Sequence, residues 1–441
     1  MKVIIIGGVA AGMTAAAKLR RLDKDVIIHV YEKGRDLSYS GCGMPYVLGD
    51  VVTDQDKLIA KTYEEFQKQD IKVFLMHEVI KVDPKEKIVH IKDLDKDLVI
   101  KDTYDKLLIA TGAYAKRTHI PGSDKIDVHV LNQFSDMKLL KPKIDKALSI
   151  AIIGGGYIGI ELAENLINLK KEVYILQKGD HILKAYDKDI SKKALDALIS
   201  SGVHVHLNQD LKSYTYQDNQ ILIKTNKDTF KVDLVIEAIG VIPNTNFLKD
   251  TGIDMLDHGA MITNRHMQTS IDDIYAAGDC VAYHHQIKDS SVYMPLGTHA
   301  NKTGKVAANH MFGIDDSFSG IVGSNILKVC DLTFAKTGLG IDEAKKLNLN
   351  YDFVDITAKH QTSYYPGATD LFIRLVYEKD TTILKGAQLV GENGVSDRIN
   401  IMALAVTKQM TAKEFSQLDF AYAPPFSPVW DPLLIAASQI K

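Results

Sequence analysis

Cys42 stands between two glycines in the stretch SYSGCGMPY at residues 38–46, where its thiol could act as a nucleophile or a redox centre. The other two cysteines, Cys280 and Cys330, are distant in sequence and form no CxxC pair, so neither a disulfide framework nor a zinc site is expected. Pro45 suits the first turn of a helix, which would place Cys42 at a helix N-terminus where the dipole stabilises a thiolate. We therefore predict that Cys42 is reactive and that Cys280 and Cys330 are small buried hydrophobes.

Gly154, Gly156 and Gly159 have the spacing of a phosphate-binding turn for a dinucleotide. One glycine makes the turn, one lets the backbone approach a pyrophosphate, and one permits close packing of a helix whose N-terminus faces the phosphates. Gln177 and Lys178 follow at the point where a ribose-binding carboxylate often stands. A cation without a carboxylate favours a ribose 2′-phosphate, so the sequence predicts NADPH over NADH. Alternatively, Gln177 bonds a free 2′-hydroxyl and Lys178 is simply solvated.

A weaker copy of the motif opens the chain, with Gly7 and Gly12 flanking Val9 in place of the middle glycine. Glu32 strengthens this copy, because a carboxylate at that distance accepts the ribose hydroxyls of an adenosine. Both copies therefore predict a βαβ unit with a glycine turn. The predicted strand, helix and strand are 2–8, 10–22 and 26–31 in the first copy, and 150–156, 157–170 and 173–176 in the second.

Length, composition and charge exclude several classes of protein. A chain of 441 residues with 46% hydrophobic composition is too long for one core, so several domains are expected. A net charge of −3 with interspersed lysines offers no basic field for a nucleic acid. The start KVIIIGGVAAGM imitates a signal peptide, but its glycines predict a strand and a turn. No apolar run reaches the ~18 residues of a membrane span, so we expect a cytoplasmic protein without a membrane partner or a metal site.

Two further stretches, YDKLLIATGA at 104–113 and TSIDDIYAAGDC at 269–280, resemble the flavoprotein disulfide reductases. The resemblance extends from end to end and implies a glutathione-reductase-like fold of the α/β class. That fold has two Rossmann-like dinucleotide-binding domains, for FAD and NAD(P), and an α+β C-terminal dimerisation domain. The implied domains are residues 1–112 with 246–320 for FAD, 113–245 for NAD(P)H and 321–441 for dimerisation.

The same resemblance implies the residues that bind the two cofactors, with Asp279 bonding the ribitol of FAD. The residues implied for FAD are Gly7, Gly8, Ala10, Ala11, Gly12, Glu32, Lys33, Val79, Thr111, Gly112, Gly278, Asp279, Ala300 and Tyr422. Those implied for NAD(P)H are Gly154, Gly156, Tyr157, Ile158, Gly159, Glu161, Gln177, Lys178 and Gly240.

Val47 stands where two-cysteine members carry their second cysteine, so the chain resembles the single-cysteine branch of the family. That branch holds the coenzyme A disulfide reductases, which rest as a mixed Cys–S–S–CoA disulfide, and the NADH oxidases and peroxidases, which pass through cysteine sulfenic acid. Peroxidases and water-forming oxidases carry a histidine where Ala10 stands here. FAYAPPFSP at 420–428 and SYYPG at 363–367 resemble the coenzyme A disulfide reductases.

In those reductases the matching tyrosines, here Tyr364 and Tyr422, reach the partner subunit and protonate the departing thiolate, so the resemblance implies a homodimer. It implies that NAD(P)H reduces coenzyme A disulfide through Cys42; the alternative is an NAD(P)H oxidase or peroxidase that reduces O₂ or peroxide. Gly41 replaces a common asparagine and resembles the oxidases, and Trp430 replaces an expected lysine. A flavin-binding redox sensor is a further alternative, against which the intact second glycine turn argues.

Coenzyme A brings three phosphates, and one face of the first predicted helix offers polar and cationic groups for them. Thr14, Lys18 and Arg21 are four and three residues apart, which places them on one helical face. In the reductases, matching positions hold the adenosine phosphates; a solvated basic face is the alternative. The other implied substrate contacts are Ser38, Gly41 and Lys302.

Overall fold

The computed structural model describes residues 1–124 and 127–441, and it opens with the predicted βαβ unit. Strand β1 (Lys2–Ile6), helix α1 (Ala10–Leu22) and strand β2 (Ile27–Tyr31) confirm the first copy. The next elements are α2 (Met44–Leu48), α3 (Tyr63–Gln67), β3 (Ile71–Phe74), β4 (His77–Asp83), β5 (Ile88–Asp93), β6 (Leu98–Thr103) and β7 (Lys106–Ile109).

The second predicted βαβ unit is also confirmed, within a segment that runs to residue 243. Its strand, helix and strand are β10, α5 and β11 below. The segment contains β8 (Ala113–Ala115), β9 (Val128–Val130), α4 (Phe134–Lys146), β10 (Ser149–Ile153), α5 (Tyr157–Asn168), β11 (Glu172–Gln177), α6 (Lys188–Ser200), β12 (His204–Leu207), β13 (Leu211–Gln217), β14 (Gln220–Thr225), β15 (Thr229–Val232), β16 (Leu234–Glu237) and β17 (Val241–Pro243).

The remaining elements return to the first unit and then build a separate C-terminal layer. The returning elements are β18 (Met261–Ile262), β19 (Ile274–Ala276), β20 (Val281–His285), β21 (Ser290–Val292) and α7 (Gly297–Met311). The C-terminal elements are β22 (Asn325–Val329), β23 (Leu332–Gly338), α8 (Ile341–Lys346), β24 (Tyr351–Lys359), β25 (Asp370–Glu378), β26 (Leu384–Gly391), α9 (Val395–Thr407), α10 (Ala412–Ser416) and α11 (Pro432–Ser438).

Two parallel sheets carry the two glycine turns. The first sheet has the order β19-β7-β1-β2-β3, so the late strand β19 pairs with β7 beside the amino-terminal strand. The second has the order β12-β11-β10-β16-β9. Their central strands β1 and β10 are buried, which explains their unbroken apolar runs. Each glycine turn lies at the carboxyl edge of its sheet, where α/β folds bind ligands.

The C-terminal layer is an antiparallel sheet in the order β22-β23-β26-β25-β24. Helices α9 and α11 cover it with a separate apolar core that includes Leu371, Leu389, Met402, Phe415 and Leu433. In residues 1–124 and 127–441, none of the helices combines the length and apolar composition that crossing a membrane requires.

Asp187, the N-cap residue of α6, connects the unit that contains the second parallel sheet to the C-terminal sheet. Its carboxylate accepts hydrogen bonds from Gln388 Nε2 at 2.6 Å and from the Arg374 guanidinium at 3.1 Å. Arg374 also pairs with Asp189 at 2.6 Å and Asp355 at 2.7 Å. Asp187, Arg374 and Gln388 are all buried. These contacts form a charged junction in which each buried group has a partner.

Glu164, a buried carboxylate on α5, makes a second connection to the same sheet. It pairs with Lys328 and accepts the backbone N–H of Cys330 at 3.1 Å. Cys330 has a φ of 56° in the tight turn between β22 and β23. The helix that begins at the second glycine turn therefore also holds the first hairpin of the C-terminal sheet.

Candidate functional site

The first glycine turn has the geometry of a dinucleotide cradle. Gly7 has a φ of 106°, which favours glycine, and a side chain on Gly12 would collide with the carbonyl oxygen of Gly7. Glu32 accepts the N–H of Gly8 at 2.6 Å and that of Gly34 at 2.7 Å. Burial raises the pKa of the Glu32 carboxyl despite these two hydrogen bonds. Glu32 is therefore held at the turn, where an adenosine ribose would lie.

The second turn repeats this geometry with one chemical difference. Gly154 has a φ of 110°, and a side chain on Gly159 would collide with the Gly154 carbonyl oxygen. Gln177 Oε1 accepts the N–H of Gly155 at 2.9 Å, just as Glu32 does in the first copy. The second turn therefore makes this contact with an uncharged amide, where the first turn uses a carboxylate.

The other residues predicted for the pyridine nucleotide lie around this turn or close to it. Gly156 is exposed, and Tyr157 and Ile158 are half-buried at the start of α5. Burial raises the pKa of Tyr157 to about 12. Gly240 has a φ of 106° after β16, and Lys178 is exposed and pairs with Asp210 at 2.9 Å.

The surroundings of Asp279 show whether FAD fits the unit that contains the first glycine turn. Its Oδ1 is buried and has no hydrogen-bond partner among the described residues. Burial alone raises the pKa of its carboxyl to about 6. The preceding Gly278 has a φ of 83°. A buried acceptor that lacks a donor is what a ribitol hydroxyl would satisfy, so the residues present fit FAD.

The remaining residues predicted for FAD surround the same space. A Cβ placed on Gly278 would lie 3.0 Å from the Cβ of Ala11 and 3.8 Å from that of Ala300, so α1 and α7 both reach this turn. Thr111 donates to the carbonyl oxygen of Asn244 at 2.8 Å. The others are Ala10, which is half-buried at the start of α1, Val79, which is buried, Gly112, with a φ of 63°, and Lys33, which is exposed and pairs with Glu78 at 2.7 Å.

Asp279→Asn is expected to change how the stability of the flavin-free protein depends on pH. Because the folded-state pKa is about 6 and lies above the unfolded value, the native state holds the proton longer. The contribution of Asp279 therefore falls as pH rises from about 4 to about 6, by at most about 3 kcal/mol. Urea unfolding of both proteins at several pH values measures the difference. Parallel pH profiles for the variant and the wild type would contradict the burial of an ionising Asp279.

Cys42 lies in a 3₁₀ turn, Gly41–Gly43, directly before the five-residue helix α2. Pro45 is in the first turn of that helix, as predicted. The pKa of Cys42 is nevertheless raised, opposite to the direction in which a helix dipole would shift it. Desolvation is the main cause, and the carboxylates of Glu161 and Asp279 add repulsion. A five-residue helix is too short to outweigh both effects.

The three thiols lie in different environments. The Cys42 side chain is exposed, so a substrate can reach its sulfur, although neighbouring protein atoms still remove part of its hydration. Cys280 is fully buried, which confirms its prediction. Cys330 is only half-buried in its left-handed turn, so the prediction of a buried hydrophobe is wrong for it. Val47 is buried beside the Cys42 loop.

Tyr364 and Tyr422 meet on an exposed surface of the C-terminal layer. Their exposed fractions are 74% and 46%, and a hydrogen bond to Tyr422 raises the pKa of Tyr364. Within the described part of the chain, no hydrogen bond joins either tyrosine to Cys42. The same surface exposes further large apolar side chains, which are Tyr365, Phe426, Val429 and Trp430.

The predicted basic face forms along α1 beside α7. Thr14 donates to Asn301 at 2.8 Å, which places the two helices in register. Among the residues that the structure describes, none of Lys18, Arg21 and Lys302 forms an ion pair with a carboxylate. Ser38, at a φ of 49°, donates its N–H to the Gly8 carbonyl, which joins the Cys42 loop to the first glycine turn. Gly41 is exposed beside Cys42.

Sequence reasoning assigned Glu161 to the pyridine nucleotide and missed its relation to Cys42. Burial, with repulsion from Glu164, raises the pKa of Glu161 to about 7. The face of α5 that carries Glu161 packs against α2, the helix that follows Cys42, where a Cβ on Gly49 would meet the side chain of Asn165. The signal was present as carboxylates at positions 161 and 164, but their orientation depends on how the two segments pack.

Comparison with known proteins agrees with this geometry. Residues 1–304 match the pyridine nucleotide-disulphide oxidoreductase family, and residues 325–432 match the dimerisation domain of that family. The chain belongs to the pyridine nucleotide-disulphide oxidoreductases. It is therefore a flavin- and pyridine-nucleotide-dependent oxidoreductase with a C-terminal dimerisation domain, as the sequence predicts.

Relatives within this family differ in what they reduce. The coenzyme A disulfide reductase of Staphylococcus epidermidis is 31% identical over 430 residues, which are 97% of this chain and 96% of that protein. The structure of the water-forming NADH oxidase from Lactobacillus brevis aligns with a TM-score of 0.97 at 30% identity, over 100% of this chain and 98% of that one. The NAD-dependent persulfide reductase from A. fulgidus aligns with a TM-score of 0.96 at 32% identity, over 100% and 82%.

Proposed function

We propose that this protein reduces coenzyme A disulfide with NADPH, using Cys42 as its only redox-active cysteine. The observation that carries the proposal is an exposed Cys42 with no second thiol beside it, since Cys280 is buried and Val47 occupies the position of a second cysteine. A disulfide formed by Cys42 must then include an external sulfur. The Staphylococcus epidermidis relative is named for coenzyme A disulfide, which supports the choice of substrate.

The Cys42 thiolate attacks one sulfur of coenzyme A disulfide, the substrate S–S bond breaks, and the first coenzyme A departs as a thiolate that takes up a proton. A Cys42–S–S–CoA mixed disulfide remains as the resting state. FAD held at the first glycine turn and by Asp279 would supply the two-electron transfer from NADPH to this disulfide. The second coenzyme A then departs and takes up a second proton. Because reductive cleavage leaves Cys42 as a thiolate directly, its raised pKa does not block the cycle.

The two protons are assigned to Tyr364 and Tyr422 of a second copy of the chain. Both side chains are exposed, and the neighbouring Tyr422 raises the pKa of Tyr364, so the two hydroxyls are placed to act together as proton donors. Within the described chain, neither tyrosine is hydrogen-bonded to Cys42. In the homodimer that we propose, the two tyrosines of one copy approach Cys42 of the other copy. The matched dimerisation domain at residues 325–432 supports this assembly.

The unpaired cations of α1 and α7 support a substrate with phosphates. Thr14, Lys18 and Arg21 lie on one face of α1, and Lys302 lies on the adjacent helix α7. In a protein of net charge −3, where many lysines are paired, such a group attracts anions. We assign it to the nucleotide phosphates of coenzyme A, with Ser38 and Gly41 beside the reacting sulfur.

The arrangement of the sheets supports the domain division that we propose. We assign residues 1–112 and 246–320 to FAD, because β19 and α7 return to the first sheet. Residues 113–245 hold the pyridine nucleotide at the Gly154–Gly159 turn, and residues 321–441 form the dimerisation domain.

Reduction of oxygen is the second candidate function. An exposed Cys42 next to Gly41 leaves open space that oxygen or peroxide could enter, and the Lactobacillus brevis structure is that of an NADH oxidase. In that reaction the Cys42 thiolate attacks one oxygen of peroxide, the O–O bond breaks, and the other oxygen leaves as hydroxide that takes up a proton to become water. Cys42 becomes a sulfenic acid, which the two electrons of NAD(P)H return to the thiolate with release of a second water. Mass spectrometry of the untreated protein separates the candidates. A Cys42 adduct of coenzyme A mass supports the first, and one added oxygen supports the second.

Lys18→Ala is expected to lower kcat/KM for coenzyme A disulfide by about tenfold, because one charge-assisted phosphate contact is lost. Pantethine is the matched substrate, since it carries the same reactive arm without the nucleotide phosphates. Its kcat/KM is expected to stay unchanged in the variant. Lys24→Ala, at an exposed lysine beyond α1, is the control and should leave both substrates unaffected. An equal loss with both substrates would contradict phosphate binding by Lys18.

A further inference from the structure

Strand β6 (Leu98–Thr103) forms an outer edge of the small antiparallel sheet β4-β5-β6. It pairs with β5 alone, and within residues 1–124 and 127–441 its outer edge makes no backbone-to-backbone hydrogen bond. Three consecutive apolar side chains lie on it, since Leu98, Val99 and Ile100 are exposed to 57%, 58% and 42%. Natural edge strands are usually protected by charges, a proline or a bulge. The central part of β6 has none of these.

The fold of a single chain does not account for the three apolar side chains of β6. Successive residues of a strand point to opposite faces, so Leu98 and Ile100 lie on one face and Val99 on the other. Both faces are exposed at this end of β6. Ile91, which lies opposite Ile100 on β5, is fully buried, so the apolar core ends between the two strands. An apolar β6 therefore requires a contact outside the chain.

The sequence of this edge is complementary to itself when two copies run antiparallel. With Val99 opposite Val99 of the second copy, Leu98 lies opposite Ile100, and the two share a face. In the same register Asp97, the last residue of the turn before β6, lies opposite Lys101. Asp97 pairs with a lysine on the exposed surface of its own chain, and in the described part of the chain Lys101 forms no ion pair with a carboxylate. Each contact between two copies thus joins two acids to two bases.

Shifting the two copies by one residue removes this complementarity in either direction. One shift places Asp97 opposite Asp102 of the second copy. The other shift places Lys96 opposite Lys101. Like charges directly opposite each other destabilise a pair of strands. Of these three registers, only the one centred on Val99 joins apolar to apolar side chains and acids to bases.

We propose that β6 pairs with β6 of a second copy of this chain, in an antiparallel two-fold contact centred on Val99. A continuous sheet of six strands then crosses the contact. Tyr364 and Tyr422 lie on the C-terminal layer, so β6 joins the proposed homodimers to one another through different elements. The inference does not rest on the proposed reaction. Six residues on each side are far fewer than the about 20–30 of a stable interface, so this association is weak and concentration-dependent.

Sedimentation velocity of the FAD-loaded protein from about 1 to about 100 µM tests the contact. The mass of the wild type is expected to rise over this range. Lys101→Asp places acids opposite each other at both ends of the contact, so its association is expected to be at least about tenfold weaker. The double variant Asp97→Lys with Lys101→Asp reverses both charges and is expected to recover the wild-type association. Lys81→Asp, at an exposed lysine of β4 in the same sheet, is the control and should associate as the wild type does.

Val99→Cys tests the register independently. The two-fold axis brings the two introduced thiols to the ~4.5–5.5 Å Cα separation of directly opposite residues, which a disulfide spans. Oxidation with diamide is expected to join two chains through residue 99, as read by non-reducing electrophoresis and peptide mass mapping. Lys101→Cys is the matched control, because Asp97 lies opposite it and the two thiols at residue 101 are then too far apart to join.

Four results would overturn the proposal. They are a wild-type mass that stays constant over the concentration range, a Lys101→Asp variant that associates as strongly as the wild type, a double variant that does not recover, and cross-linking of Lys101→Cys as readily as Val99→Cys. None of these measurements contains a disulfide substrate. Assembly through β6 by a protein that does not reduce coenzyme A disulfide would refute only the proposed acceptor.

Discussion

Cys42→Ser is expected to lose coenzyme A disulfide turnover by at least about 10³-fold while keeping its bound flavin, because the hydroxyl cannot form the mixed disulfide. Flavin retention is expected because the cradle residues Gly7, Glu32 and Asp279 are untouched. The absorbance spectrum of the purified variant reports the flavin, and NADPH consumption with coenzyme A disulfide as the only acceptor reports turnover.

Cys330→Ser is the matched control for this variant. It makes the same chemical change at a half-buried thiol in the β22–β23 turn. Its turnover should equal that of the wild type, and its untreated form should still carry a coenzyme A adduct at Cys42. Turnover of Cys42→Ser within tenfold of the wild type would refute the single-cysteine mechanism.

Arg374→Met is expected to lower the free energy of unfolding by about 3–5 kcal/mol. The substitution keeps much of the side-chain volume but leaves the buried Asp187 carboxylate without its cation. Asp189 and Asp355 lose the same partner, so three carboxylates then repel one another. Urea unfolding followed by circular dichroism, at fixed protein concentration and saturating FAD, measures the change.

The appropriate comparison is Lys359→Met on the neighbouring strand β24. Lys359 pairs with Asp370 at 2.8 Å, but both side chains are largely exposed. An exposed pair contributes little, so this variant should unfold at nearly the wild-type urea concentration. If Arg374→Met also unfolds there, the junction around Asp187 does not stabilise the fold as described.

The two glycine turns were predictable because their chemistry is local. A strand, a glycine with positive φ and a helix follow one another in sequence, and the helix predicted at 10–22 is found at Ala10–Leu22. The same holds for Glu32 and Gln177, each at the end of the next strand. The small antiparallel sheets β4-β5-β6 and β13-β14-β15 were not foreseen, although their alternating residues carried a signal.

The direction in which the pKa of Cys42 is shifted could not be predicted from the sequence, because it depends on distant segments. The sequence shows a proline and a helix start, which favour a thiolate, but Glu161 and Asp279 approach only in the folded chain. Arg374 and Asp187 illustrate the same limit, since no local pattern pairs residues so far apart.

The contacts of Glu164 and Asp187 restrict how nucleotides can enter and leave. A hinge rotation of the pyridine-nucleotide half away from the C-terminal sheet would expose Glu164 without Lys328 and Asp187 without Arg374. Two buried carboxylates would lose their counter-ions at once, which makes such an opening rare. Exchange of the pyridine nucleotide is therefore expected to proceed by small local displacements of the loop between β11 and α6, within an otherwise rigid frame.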